Sequence, residues 1–182
     1  MSKDEITELN NKENKKNNLI FEWIMPAALA LVISLLLYKF IIFMVYIPSS
    51  SMVPTLNEGD RLFVTRIYNL DNIKRGDVLV FKSKELNDIL IKRVIGLPGD
   101  VVTIVDGKVS VNNKVLEEDY LVNVDHNYGE FKVPEEKYFF LGDNRPLSYD
   151  SSKWINPYID GKDIEAKAQI KIFPFNDFGF IE

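Results

Sequence analysis

From Ile24 to Ile47 the chain reads IMPAALALVISLLLYKFIIFMVYI, with Lys39 as its only charge. No other feature restricts the architecture as much. A bilayer-spanning helix needs about 20 consecutive apolar residues, and this run supplies them. Trp23 and Tyr38 suit the two membrane–water interfaces, and Lys39 can extend its ammonium to the headgroups. Pro26 falls in the first helical turn, where a missing N–H removes no helical bond. A cleaved export signal has a shorter apolar core and small residues at its cleavage site, whereas Tyr-Lys-Phe-Ile-Ile follows here. A soluble core helix shows a polar face, and Ala27 to Leu37 offers only Ser34. The run therefore reads as a membrane anchor over residues 23–44. The tail before it (1–22) begins with a polar stretch, residues 1–18, that lacks aromatics and reads as disordered. Lys3, Lys12, Lys15 and Lys16 favour a cytoplasmic N-terminus, which sends residues 45–182 to the outer side.

After the anchor the apolar period changes to that of strands. GDRLFVTRI, DVLVF and DILIKRVIGL are short β-branched and aromatic runs separated by turn residues. VVTIVDGKVSVNNKVL holds an Asp106-Gly107 hairpin signal and a second turn at Asn112-Asn113. KYFFLGDN and AQIKIFPF read as further strands, and no stretch beyond residue 60 makes an amphipathic helix of several turns. The expected shape is an anchor followed by one antiparallel β domain.

Composition narrows the chemistry. With no cysteine, disulfides, thiolate catalysis and cysteine-based metal sites are excluded. The net charge of −5 comes from well-mixed acids and bases without a basic stripe, which argues against a nucleic-acid partner. The single histidine, His126, rules out a histidine-rich metal site. Three serines stand between two prolines in IPSSSMVPTL, Ile47 to Leu56. Ser and Pro gather in turns, so this stretch reads either as a flexible joint or as the seat of a nucleophile. A serine hydroxyl needs an adjacent base, and two residue types could supply it. His126 lies in NVDHNYGEF, a polar loop, where a solvated histidine is the ordinary expectation. Lys92 lies on a strand between Leu90 and Val94, with Arg93 on the opposite face. Burial there disfavours the ammonium, and a neutral amine can accept a proton. A third polar segment, GDNRPLSYDSS, reads as an ordered turn. It is either a surface loop or the source of a serine, Ser148, that holds the lysine amine in line.

Together these segments resemble a family. SSSMVPTL, GDVLVF, IKRVIGLPGD and GDNRPLSYDSS occur in the order of the boxes of type I signal peptidases, and the preceding anchor is similar too. The resemblance runs from about residue 20 to the end. It implies a mostly β, antiparallel, barrel-like catalytic domain after one transmembrane helix. It also implies a membrane-bound serine endopeptidase that removes signal peptides from exported pre-proteins, with no metal or organic cofactor. Carried over by position, the nucleophile is Ser51 and the general base Lys92. Ser49 supplies an oxyanion hydroxyl, Ser148 bonds the lysine, and Asp143 and Asp150 are supporting acids. The substrate pockets map to Val45, Ile47, Met52, Leu56, Leu62, Val80, Leu90 and Ile91, all apolar. The short interval from Lys92 to Ser148 resembles the compact, single-anchor form. Two departures stand out: Pro146-Leu147 replace two polar residues, and Ser152 replaces an arginine. A self-cleaving or partner-specific Ser–Lys protease, or a non-enzymatic tethered β module, are the alternative readings.

Overall fold

The computed structural model describes residues 20–181; the polar stretch at residues 1–18 lies outside them. These residues divide into two units, one through Ile42 and one from Phe43 onward. The first opens with a π-helical turn, Ile20–Ile24, and continues as α1 (Met25–Phe40). Pro26 does sit at the start of α1, and none of the helix's side chains is buried. Together with the preceding turn, α1 makes a 20-residue apolar helix, Phe21–Phe40, which has no protein cover and is long enough to cross a membrane.

The helix ends sooner than the apolar run. Ile41 still bonds its N–H to the carbonyl of Leu37, and from Ile42 the chain is a strand, β1 (Ile42–Tyr46). Hydropathy alone does not separate the two. The β-branched and aromatic content of IIFMVY favours the extended form once a sheet edge is available.

The second unit is built from β1 and eleven further strands: β2 (Arg61–Arg66), β3 (Val78–Ser83), β4 (Asp88–Gly96), β5 (Val101–Val105), β6 (Lys108–Val111), β7 (Lys114–Val115), β8 (Gly129–Lys132), β9 (Lys137–Leu141), β10 (Tyr158–Asp160), β11 (Ile164–Phe173) and β12 (Gly179–Phe180). Its described helical structure is limited to three short 3₁₀ turns. The larger sheet has the order β1-β2-β11-β3-β4-β9-β10, with β12 added to β11. A smaller sheet has the order β7-β6-β5-β8. Every ladder whose register is resolved is antiparallel, as the hairpin signals imply. Val105 pairs with Lys108 across Asp106-Gly107, and both turn residues have positive φ (50° and 75°). That is the primed two-residue turn which Asp-Gly favours. Asn112 and Asn113 (φ 52° and 67°) make a second such turn between β6 and β7.

Strand β3 shows how the core is arranged. Val78 and Val80 belong to one apolar cluster, with Ile47, Met52, Leu56, Leu62 and Val64. Leu79 and Phe81 belong to another, with Val94, Phe140 and Trp154. Both faces of β3 are therefore covered, so it reads as a continuous apolar run rather than an alternating one. Each fully buried aliphatic side chain contributes about 1.5–3 kcal/mol. Burial on both faces also means that Lys92 and Arg93, neighbours on β4, are both inside the protein, at 4% and 2% exposure. Strand alternation alone sends Arg93 away from Lys92, yet the far face is no more exposed to water.

Candidate active site

Ser51 lies in the turn that joins β1 to β2. Two apolar side chains of that turn, Met52 and Leu56, are fully buried in the first cluster. Short backbone bonds, Val53 N–H to Ser50 O (3.2 Å) and Leu56 N–H to Met52 O (2.8 Å), close it tightly. The serines are thus held by plugs rather than carried on a loose joint. From β4, the Lys92 Nζ donates to the Ser51 Oγ. The Ser49 hydroxyl stands 3.4 Å from the Ser51 hydroxyl.

The environment of Lys92 suits a base. Burial brings its pKa down to about 8, while the Asp150 and then the Asp143 carboxylates pull it part of the way back. With that value roughly a tenth of the molecules carry a free amine near pH 7. The Ser51 hydroxyl is in direct contact with this amine.

Asp143 and Asp150 have separate tasks. Asp143 takes Arg93 in a bidentate pair, Nε at 2.9 Å and Nη2 at 2.7 Å, and also accepts from the Thr55 hydroxyl. That pair is 2% and 1% exposed, a geometry in which a lone charge would be costly. Asp150 accepts from the Gly142 N–H (2.9 Å) and from the Ser152 N–H and hydroxyl (3.2 and 2.8 Å). Ser152 therefore satisfies Asp150 as a neutral hydroxyl where the family resemblance leads one to expect arginine. Pro146 and Leu147 are exposed, so that departure alters only the outer surface of the loop. Ser148 is buried at 2%, but its hydroxyl makes no hydrogen bond among the described residues, and the expected contact with Lys92 is not formed.

Beside the pair lies a cleft of about 520 Å³. Val45, Ile47, Val80, Leu90 and Ile91 line it together with Ser49, Ser51 and Lys92. Met52, Leu56 and Leu62, also expected at the pockets, are instead fully buried beneath it and do not line it. The cleft runs between two open backbone edges. Strand β1 ends the larger sheet, and β4 pairs with β9 only from Arg93 onward, leaving its first half unpaired on that side.

The family model described as "Signal peptidase, peptidase S26" matches residues 20–173. Signal peptidase I of Bacillus licheniformis is 37% identical over 178 residues, spanning 91% of this chain and 95% of that protein. Signal peptidase I of Leptolyngbya laminosa is 39% identical over 175 residues, spanning 91% and 85%. A solved signal peptidase I from Enterococcus faecalis V583 aligns at 32% identity and a TM-score of 0.48, covering 54% of this chain and 98% of that one. The chain belongs to the signal peptidase I family.

Several residues of this signal peptidase escaped the sequence reading. Asn144 binds the serine turn twice, with its N–H to Ser51 O (3.1 Å) and its Nδ2 to Ser50 O (3.0 Å). Gly142 is needed for space: a Cβ there would lie 2.5 Å from Ser51 O and 2.3 Å from Ser148 Oγ. Thr55 and Arg93 join the Asp143 cluster. The Gly-Asp-Asn triplet and the Lys-Arg pair were visible signals, but their partners lie far away in sequence. His126 is 77% exposed and pairs with Asp106 at the β5–β6 turn. This signal peptidase does not engage it with the serines.

Proposed function

We propose that this membrane signal peptidase cuts its substrates with a Ser51–Lys92 dyad, and that its β domain faces the outer side of the membrane. The observation that carries the reading is the contact between the buried Lys92 amine and the Ser51 hydroxyl. Neutral Lys92 takes the Ser51 proton as the oxygen attacks the scissile carbonyl, forming a tetrahedral oxyanion. The Ser51 N–H and the Ser49 hydroxyl donate to that oxyanion, and losing one such donor costs about 2.7–4 kcal/mol. Protonated Lys92 then gives its proton to the leaving amine, and an acyl-enzyme remains. Lys92 next activates a water, which releases the new carboxylate and restores Ser51. The Ser148 hydroxyl, buried and unpartnered beside Gly142, turns to the amine and holds it in line during this cycle.

The substrate enters as an extended strand between β1 and the open half of β4, where backbone groups supply affinity and shallow apolar pockets select side chains. Val45, Ile47, Val80, Leu90 and Ile91 favour small residues at the first and third positions before the cut. Signal-peptide-bearing pre-proteins meet the enzyme on the bilayer, where the polar tail of residues 1–18 stays cytoplasmic. Incubating the detergent-solubilised protein with a purified pre-protein, and sequencing the new N-terminus, tests this. Cleavage after a small residue that disappears in both Ser51→Ala and Lys92→Ala is expected. Full cleavage by either variant would remove the dyad.

A further inference from the structure

Between β7 and β8 the chain passes through residues 116–128 without regular structure, yet part of this connection reaches into the protein. Glu118 accepts from Arg145, Nη2 at 2.5 Å and Nη1 at 3.3 Å. Both side chains are nearly enclosed, at 8% and 7% exposure. The Tyr120 hydroxyl donates to Glu118 (2.7 Å), and the Tyr120 ring lies 4.0 Å from the Arg93 guanidinium carbon. Loops ordinarily keep their charges in water, and a buried ion pair is weak evidence for stability. A placement of this kind calls for another explanation, which follows from what the two arginines hold.

Arg145 donates from Nε to the carbonyl of Gly142 (3.0 Å), the residue whose missing side chain leaves room for Ser51 O. Arg93 fixes Asp143, and Asp143 accepts from Thr55 in the turn that carries Ser51. Glu118 and Tyr120 therefore start two arms that end on the same turn. One passes through Arg145 and Gly142, the other through Arg93 and Asp143. We propose that Glu118 and Tyr120 are positioning residues, forming a strap that sets the placement of Ser51 against Lys92. The inference rests on the dyad reading above. Neither residue lines the cleft, so the strap acts on the chemical step and leaves substrate binding alone. Misplacing reacting groups by about 1 Å is enough to lose roughly a hundredfold in rate.

The test uses the full-length protein in detergent micelles and an internally quenched peptide with alanine at the first and third positions before the cut. Glu118→Gln is expected to lower kcat by about ten- to a hundredfold with KM within about twofold of wild type. Near-UV circular dichroism of the variant should stay native. Tyr120→Phe keeps the ring on Arg93 and should retain more kcat than Tyr120→Leu, which removes both contacts. Wild-type kcat in Glu118→Gln overturns the strap, as does a raised KM with kcat unchanged. If Glu118→Gln does not fold, the tyrosine pair decides: equal kcat for Phe and Leu overturns the proposal. Lys92→Met in the same panel reads the dyad separately. Activity there overturns the dyad, whereas a dead Lys92→Met beside a fully active Glu118→Gln overturns only the strap.

Discussion

Replacing Lys92 by Met should destroy activity and stabilise the fold. Lys92 is 4% exposed and its pKa is brought from 10.5 down to about 8, with burial the largest cause. The unfolded chain binds the lysine proton more tightly than the native one, so the native state bears a penalty wherever the amine is protonated. Stability of the parent therefore rises with pH between about 8 and 10.5, and the full penalty applies below about pH 8. A shift of this size corresponds to about 3 kcal/mol near pH 7, about 2 kcal/mol near pH 9, and less than about 0.5 kcal/mol near pH 10.5. Methionine fills a similar volume without a charge, so Lys92→Met should recover this amount. The comparison is best made in a Ser51→Ala background, where neither protein can cut and the serine contact is absent from both. Guanidinium unfolding of the full chain in a mild detergent, followed by near-UV circular dichroism, gives the difference at each pH. A gain of about 3 kcal/mol near pH 7 that fades by pH 10.5 is the expected result. No gain near neutrality, or a gain that persists unchanged at pH 10.5, would refute the desolvated-lysine account. The first would mean that the amine is well solvated, the second that methionine simply packs better.

Other expectations follow from the same contacts. On the proposed dyad, which needs the free amine of Lys92, kcat/KM should rise with pH along one limb, half-maximal near pH 8. Asp150→Asn should move that limb to lower pH, since the Asp150 carboxylate favours the ammonium. A limb that stays in place would remove Asp150 from the electrostatics of the site. Among the serines, Ser51→Ala should be inactive and Ser50→Ala close to wild type, while Ser49→Ala should lose about 10²–10³ in kcat. Cleavage of a quenched peptide ranks them. Gly142→Ala should lose at least about a hundredfold in kcat, because its Cβ would sit 2.5 Å from Ser51 O, and wild-type activity would show that the turn can move aside.

The long apolar helix, the β-rich body and the two residues that meet in the cleft, Ser51 and Lys92, were legible in the linear sequence for one reason. Each is announced by residues close together: an apolar run, a two-residue turn, or a box of a few positions. Period and turn chemistry act over a few residues, so they survive without the fold. Where the apolar run changes from helix to strand was not legible, because Ile41 and Ile42 are equally apolar and only the sheet edge beside β2 decides between them. Nor was the depth of Arg93: alternation tells which face a side chain takes, and only the second layer tells whether that face is wet. The pocket residues divided in the same way. Leu62 and Val80 look alike in sequence, yet one is sealed under the cleft and the other lines it. The supports of the site were hidden most completely. Glu118 meets Arg145, and Asn144 meets Ser50 and Ser51, across long stretches of chain. Charge and hydrogen bonding act at a few ångströms whatever the separation along the chain, so their partners are chosen only when the sheets close around them.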